Sequence, residues 1–71
     1  MKDSITVYSL PSCGMCKMLK TQLTKQNIVF DVCEDIAIME EKKIKAVPIL
    51  EVNGHFYNFK EALLWLKEQD N

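Results

Sequence analysis

Residues 5–16 read ITVYSLPSCGMC, and this stretch decides the fold. Ile5–Ser9 is rich in β-branched and aromatic residues, which predicts a strand. Pro11-Ser12 then breaks the strand. From Cys13 to about Gln26 the pattern is helical, because one apolar stripe recurs at spacings of three and four residues: Cys16, Leu19 and Leu23. The sequence therefore predicts a strand-to-helix junction with two cysteines at the start of the helix.

The two cysteines at this junction, Cys13 and Cys16, suggest disulfide exchange. A thiolate is the nucleophile in that reaction, and helix starts favour thiolates through their unpaired amides and the helix dipole. Cys13 lies at the helix start and is expected to attack a substrate disulfide. Cys16 lies one turn further along the apolar stripe. It is expected to be more buried and to resolve the mixed disulfide. Gly14 and Met15 leave the approach open, and a flexible thioether can adapt to a partner surface.

The cysteine pair has a second interpretation, as part of a metal site. Zinc needs about four ligands, and the chain offers four candidates: Cys13, Cys16, Cys33 and His55. Cys33 and His55 form no second closely spaced pair, so the redox interpretation, with no bound metal, is favoured. The alternative is a non-enzymatic zinc or iron–sulfur module that uses Cys13 and Cys16. Two inert buried cysteines are the third interpretation.

The composition limits the size and the partners of the protein. With 71 residues, 48% of them hydrophobic, the chain predicts one small domain over residues 1–71. The net charge is −1 and the charges are mixed, which argues against nucleic acid because phosphate binding needs a basic face. No apolar run approaches the roughly 20 residues of a membrane span. The N-terminus also lacks the apolar segment of a signal peptide, so we expect a cytoplasmic protein.

The rest of the chain predicts a regular alternation of elements. Strands are expected over Ile28–Cys33, Ile49–Val52 and His55–Tyr57, and a short helix over Ile36–Lys43. Asn53-Gly54 is a strong hairpin signal. Asn58 and Glu61 have the spacing of a capping box at the start of the last helix. The predicted order is β-α-β-α-β-β-α, an α/β arrangement.

The chain resembles the thioredoxin fold, and within it the glutaredoxin-like branch. Three segments carry the resemblance: residues 8–16, Ala46-Val47-Pro48, and the Asn53-Gly54 turn with its following strand and helix. The resemblance implies a four-stranded mixed sheet with three helices. It also implies that Pro48 is cis and lies beside the Cys13 sulfur, and that the backbone of Val47 pairs with a bound peptide or glutathione. Gly14, Met15, Val47 and Pro48 are thus the predicted substrate-binding or glutathione-binding residues.

The chain departs from the pattern of typical dithiol glutaredoxins in two respects, one around the cysteine pair and one at the start of the last helix. Gly14-Met15 replaces a Pro-Tyr or Pro-Phe pair, and Leu10 replaces a basic residue. Residues 57–60, Tyr-Asn-Phe-Lys, replace the Gly-Gly pair that helps to hold the glutathione carboxylate. The Tyr-Ser-x-Pro lead-in and the Asn-Phe-Lys turn are more similar to small redoxins that serve ribonucleotide reductase and are reduced by thioredoxin reductase.

The resemblance leaves two electron sources open, glutathione and a flavoprotein thioredoxin reductase that uses NADPH. It implies no tightly bound cofactor. The expected partner is a disulfide-bearing protein, with ribonucleotide reductase as one candidate, and the expected state is a monomer. The expected activity is that of a thiol–disulfide oxidoreductase acting on protein or glutathione mixed disulfides.

Overall fold

The computed structural model describes residues 4–69, in which seven elements follow one another along the chain. They are β1 (Ile5–Tyr8), α1 (Gly14–Lys25), β2 (Asp31–Cys33), α2 (Ile36–Glu41), β3 (Ile49–Val52), β4 (His55–Tyr57) and α3 (Phe59–Gln69). The predicted order is confirmed, and β3 and β4 have the predicted bounds. No helix within this part of the chain combines the length and the apolar character needed to cross a membrane.

The four strands form one mixed sheet in the order β2-β1-β3-β4. β2 runs parallel to β1, whereas β3 is antiparallel to both β1 and β4. Tyr8 pairs with Cys33 on one side and with Ile49 on the other. The carboxyl ends of β1 and β2 and the start of β3 therefore meet at one edge of the sheet, which we call the Tyr8 edge.

The main core lies between one face of the sheet and the helices α1 and α3. Val7 and Leu50 point to this face, and Leu19 and Leu23 of α1 join the same cluster with no exposed surface. Helix α3 adds its buried stripe, Ala62 and Leu66, with Phe59 and Leu63 partly buried beside it. Each large buried side chain contributes about 1.5–3 kcal/mol. This cluster holds α1, and with it the cysteine pair, against β1.

The opposite face of the sheet carries a polar and aromatic cluster. The Tyr8 hydroxyl donates a 2.5 Å hydrogen bond to Oε1 of Glu51. Nζ of Lys42 lies 3.7 Å from that oxygen, and 5.8 and 5.9 Å from the ring centroids of Tyr8 and Phe56. Because Lys42 caps the carboxyl end of α2, this cluster ties α2 to the second face.

The carboxyl end of α1 explains why β2 starts later than the sequence predicts. The chain leaves the helix through Asn27, whose φ is 59°, directly after the predicted helix end near Gln26. The amide of Ile28 donates to the carbonyl of Leu23 at 3.0 Å, which completes a Schellman motif. Ile28 is therefore part of a helix cap, and β2 begins at Asp31 rather than at Ile28.

Helix α2 ends in the same way, two residues before its predicted end. It stops at Glu41, and Lys43 has a φ of 60°. The amide of Ile44 donates to the carbonyl of Met39 at 2.8 Å, again in a Schellman motif. A lysine in the left-handed region is uncommon, so the sequence did not predict a helix end before Lys43.

The two local turn signals behave as predicted. Asn53 and Gly54 both have positive φ, 51° and 90°, as a two-residue hairpin turn of the primed type requires. At the start of α3, the Glu61 amide donates to Oδ1 of Asn58 at 2.8 Å, and the Asn58 amide donates to Oε1 of Glu61 at 3.1 Å. These two reciprocal bonds form the predicted capping box.

Candidate active site

The Tyr8 edge gathers the segments from which the candidate site is built. The loop from β1 to α1 leaves this edge and carries Cys13. The register that pairs Tyr8 with Ile49 brings Pro48, the residue before β3, to the same edge. Tyr57 pairs with Leu50, so β4 also ends here and α3 begins here. The sheet thus collects at one place three segments that are far apart in sequence.

Cys13, the predicted first helical residue, is the N-cap residue of α1, one position before the observed first helical residue, Gly14. Its backbone is extended, with φ −88° and ψ 111°, and its Sγ accepts a 3.1 Å hydrogen bond from the amide of Cys16. The Cys13 amide donates to the carbonyl of Leu10 at 3.1 Å, which closes the loop behind it. The sulfur therefore lies at the positive end of the helix dipole, and its side chain is partly exposed.

Cys16 lies in a different environment, although its Cα is only 5.2 Å from that of Cys13. It belongs to the buried stripe of α1, together with Leu19 and Leu23, and is 0% exposed. The prediction that Cys16 is the more buried cysteine is confirmed. The two sulfurs are joined as a disulfide. A dithiol that can close in this way while presenting only one sulfur to solvent suits disulfide exchange.

Gly14 and Met15, at the start of α1, form the first wall of the Tyr8 edge, and Val47 and Pro48 form the second wall. The peptide bond between them is cis, as the resemblance implies. Pro48 is buried and Val47 is partly buried. On the first wall, Met15 is 48% exposed, and an added Cβ at Gly14 would meet no atom within 4 Å. The approach to the cysteine pair over Gly14 and Met15 is thus open.

The four candidate zinc ligands do not come together. Cys33 is a partly buried free cysteine at the Tyr8 edge, whereas His55 pairs with Val52, which pairs with Ile5 at the other end of β1. At about 3.3 Å per residue, this places His55 about 10 Å along the sheet from Tyr8. Among residues 4–69, no group of three or more histidine, cysteine or acidic side chains is arranged to hold a metal ion.

The sequence of this chain matches the glutaredoxin family model over residues 5–57, a span that includes both cysteines and the cis proline. The chain belongs to the glutaredoxin family. No curated protein matches it in sequence. Among solved structures it is similar to a crystal structure of a point mutant of the thioredoxin-like protein BC3987. The TM-score is 0.76 and the identity 22%, over 94% of this chain and 97% of that one. At this identity the likeness shows the fold.

Membership of the glutaredoxin family and the disulfide-bonded Cys13–Cys16 pair together give the chain a thiol–disulfide redox function. The activity of the family is in general that of a thiol oxidoreductase. Glutaredoxins generally use glutathione as the reductant and interact with disulfide substrates. The thioredoxin-like fold and the redox chemistry inferred from the sequence are therefore confirmed at this level.

A cavity of about 240 Å³ opens at the Tyr8 edge of this glutaredoxin-family fold, beside Val47. Leu10 and Val47 line it, together with residues of α2 and of the segment that follows α2. A larger cavity, of about 400 Å³, is lined by Ile5 and Trp65 at the other end of β1, away from the cysteines. A choice of the active site by cavity volume alone would therefore place it away from the cysteines.

The residues of α2 that line the 240 Å³ cavity, notably Ile36 and Met39, are absent from the sequence-based prediction of the site. Two signals could have found them. One is their i, i+3 spacing at the start of a helix that follows a parallel strand. The other is the apolar Leu10 at a position where typical dithiol glutaredoxins have a basic residue.

Within residues 4–69, Tyr8 and Lys42 are the groups near the site whose pKa values are shifted. Burial, followed by the hydrogen bond to the Glu51 carboxylate, raises the pKa of Tyr8 above its usual value. Hydrogen bonding to Tyr8 raises the pKa of Lys42 in turn. The phenol of Tyr8 therefore stays neutral and the ammonium of Lys42 stays charged throughout the physiological pH range. The protonation states of these two side chains do not change there.

Proposed function

We propose that this chain reduces disulfides in proteins and mixed disulfides with glutathione, with Cys13 as nucleophile and Cys16 as resolving thiol. The observation that carries the proposal is the inequality of the two sulfurs. Cys13 is partly exposed at the N-cap of α1 and accepts an amide hydrogen bond, whereas Cys16 has no exposed surface. Amide donors stabilise a negative sulfur, and exposure lets that sulfur reach a substrate.

The reaction follows two exchange steps. The Cys13 thiolate attacks one substrate sulfur, a Cys13–substrate disulfide forms as the substrate S–S bond breaks, and the leaving thiolate takes up a proton. Cys16 loses its proton and attacks the Cys13 sulfur, which forms the Cys13–Cys16 disulfide and releases the second substrate thiol. The substrate has gained two electrons and two protons. Two thiols of a reductant return these to the protein.

Single-cysteine variants test this assignment. Cys13→Ser is expected to abolish disulfide reduction, because no attacking thiolate remains. Cys16→Ser is expected to accumulate a mixed disulfide between Cys13 and a protein substrate, visible by intact-mass spectrometry. Cys33→Ser is the control and retains the parental rate, since Cys33 takes no part in either step. A Cys13→Ser variant as fast as the parent contradicts the mechanism, and the absence of an adduct contradicts the resolving role.

We propose further that the preferred reductant is a flavoprotein dithiol rather than glutathione. At the start of α3, which lies at the Tyr8 edge, the carboxylate of Glu61 accepts the amide hydrogen of Asn58. This carboxylate therefore lies directly beside residues 57–60, where the family pattern has a Gly-Gly pair that helps to hold the carboxylate of glutathione. Leu10 likewise offers no positive charge. Both features weaken the case for an anionic tripeptide.

The reductant is decided by direct competition. The oxidised protein is mixed with glutathione, or with thioredoxin reductase and NADPH, and the return of the dithiol is followed by thiol-specific mass tagging. We expect the reductase reaction to be the faster at physiological concentrations. A faster glutathione reaction overturns this choice but leaves the proposed roles of Cys13 and Cys16 intact.

Ribonucleotide reductase is one protein substrate that fits the proposal. The support is the resemblance of Tyr8-Ser9 and of Asn58-Phe59-Lys60 to the small redoxins that serve that enzyme. The test is whether the reduced protein sustains multiple turnovers of a ribonucleotide reductase that has no other dithiol. Turnover that stops after the enzyme's own thiols are used contradicts this choice of substrate.

A further inference from the structure

The 240 Å³ cavity at the Tyr8 edge is linked to the cysteine pair through Leu10 and to the cis proline through Val47. The carbonyl of Leu10 accepts the hydrogen bond of the Cys13 amide, and the Leu10 side chain lines the cavity. Val47, which lines the other wall, is the residue before the cis proline. A polypeptide that reaches the Cys13 sulfur along Val47 therefore contacts a residue that also lines this cavity.

The lining of the cavity favours an uncharged occupant. Six of its eight lining residues are apolar, namely Leu10, Ile36, Met39, Ile44, Ala46 and Val47. The other two, Glu40 and Lys45, carry opposite charges, so they leave no net charge to attract an ion. Apolar surface that is removed from water contributes about 25 cal/mol per Å². A side chain that fills the cavity thus gains affinity mainly by burial.

The size of the cavity limits the occupant to one side chain. Pockets that enclose whole small molecules measure about 300–1,000 Å³, whereas this cavity measures about 240 Å³. An extended peptide advances about 3.3 Å per residue and alternates its side chains. A residue two positions from the substrate cysteine is therefore about 6–7 Å away and points to the same side as that cysteine.

We propose that this cavity binds an apolar side chain located two residues from the disulfide cysteine of a polypeptide substrate, and so selects polypeptides over glutathione. The inference rests on the proposed function and specifies its substrate class. Glutathione is a tripeptide whose two ends are charged and which has no apolar side chain next to its cysteine. It leaves the cavity unfilled, whereas a leucine or phenylalanine fills it.

The test uses two synthetic disulfide-linked peptides of equal length and charge. One has leucine at both positions two residues from the cysteine, and the other has serine there. Oxidised glutathione is the third substrate, dithiothreitol supplies the two electrons, and the rate measured without the protein is subtracted for each substrate. For the parent we expect a kcat/KM for the leucine peptide about tenfold above that for the serine peptide. Oxidised glutathione is expected to be no better than the serine peptide.

Two matched variants locate the effect. Ile36→Asp places a carboxylate in the cavity, and Ile36 is 59% exposed at the start of α2, where an acidic residue suits the helix dipole. Ile38→Asp adds the same charge in the same helical turn, at a residue that is 38% exposed and does not line the cavity. We expect Ile36→Asp to bring the leucine-to-serine ratio of kcat/KM close to one. Ile38→Asp keeps the ratio and the rates of the parent.

Three outcomes overturn the inference: a parental ratio near one, a ratio that survives Ile36→Asp, and equal effects of the two variants. In each of these the peptides are still reduced, so the proposed function stands. A parent that reduces none of the three substrates contradicts the proposed function itself and the inference with it. Thermal unfolding of both variants verifies that each is folded in the assay.

Discussion

The amide of Cys16 donates a 3.1 Å hydrogen bond to the sulfur of Cys13. One turn of α1 thus does two things. It directs an amide at the exposed sulfur, and it turns the other cysteine into the core, on the same stripe as Leu19 and Leu23. Two residues of one chemical type therefore receive different reactivities from their positions relative to the helix start.

The first prediction concerns the order in which the three cysteines of the reduced protein are alkylated. Cys13 should react first with iodoacetamide at pH 7, at least roughly fivefold faster than Cys33, because the helix start favours its thiolate. Cys16 should react last because it is fully buried. Peptide mapping after timed quenching measures the order.

The control for alkylation is Cys13→Ser, which should remove the fast phase and leave the phase of Cys33 unchanged. If Cys16 or Cys33 is modified before Cys13 in the parent, the helix start does not activate Cys13. The proposed division of roles between the two cysteines would then have no physical basis.

The second prediction concerns the hydrogen bond between Tyr8 and Glu51. Tyr8→Phe should lower the free energy of unfolding at pH 7 by about 1.5–3 kcal/mol, the range for hydrogen bonds to charged groups. The pKa of Tyr8 is raised in the folded state, so the stability linked to it is present below the unfolded pKa of about 10 and is lost as the pH rises through the folded value. Chemical denaturation at pH 7 and above pH 10 should show the difference from the parent shrinking.

Tyr57→Phe is the matched control, because Tyr57 is a partly buried tyrosine at the edge of the main core. At pH 7 it should lower the free energy of unfolding by less than Tyr8→Phe does, because it removes a hydroxyl and leaves the bond between Tyr8 and Glu51 in place. A Tyr8→Phe deficit that stays constant from neutral to alkaline pH would show that the hydroxyl acts only through packing.

The third prediction concerns the capping box of α3. Asn58→Ala removes the acceptor of the Glu61 amide, which is bonded at 2.8 Å, and should cost about 1 kcal/mol of unfolding free energy. Glu61→Ala should cost less, because it removes only the second bond, which is the longer one at 3.1 Å. A double-mutant cycle measured by urea denaturation should show that the two effects are not additive. Additive effects would mean that the two bonds form independently.

The fourth prediction uses the left-handed residue at the end of α2. Lys43 has a φ of 60°, a conformation in which a side chain is unfavourable and glycine is not. Lys43→Gly should raise the unfolding free energy by about 0.5–1 kcal/mol, after allowance for the more flexible unfolded chain. Gly54→Ala, at a φ of 90°, should have the opposite sign. Equal signs for the two variants would contradict the explanation by backbone conformation.

Features that depend on a few neighbouring residues could be predicted from the sequence. The hairpin at Asn53-Gly54, the capping box of Asn58 and Glu61, and the stripe that buries Cys16 all follow from interactions within about four positions. The predicted and observed bounds differ after α1, where β2 begins at Asp31 instead of Ile28, and at the carboxyl end of α2. Asn27 and Lys43 close Schellman motifs at these places. The first motif delays the start of β2, and the second ends α2 early. Hydrophobic periodicity does not reveal either motif, because the motifs depend on backbone hydrogen bonds.

The sequence by itself determined the order of the elements and the unequal positions of Cys13 and Cys16, because the strand-to-helix junction and the helical spacing are local. Only the tertiary structure decided that β1 pairs with β3 so that Leu10 and Val47 face each other across the Tyr8 edge. These two residues are 37 positions apart. Their proximity depends on the strand register and on the position of α2 at the Tyr8 edge. The dithiol is thus encoded locally, whereas the cavity that we propose as its substrate selector exists only once the sheet has formed.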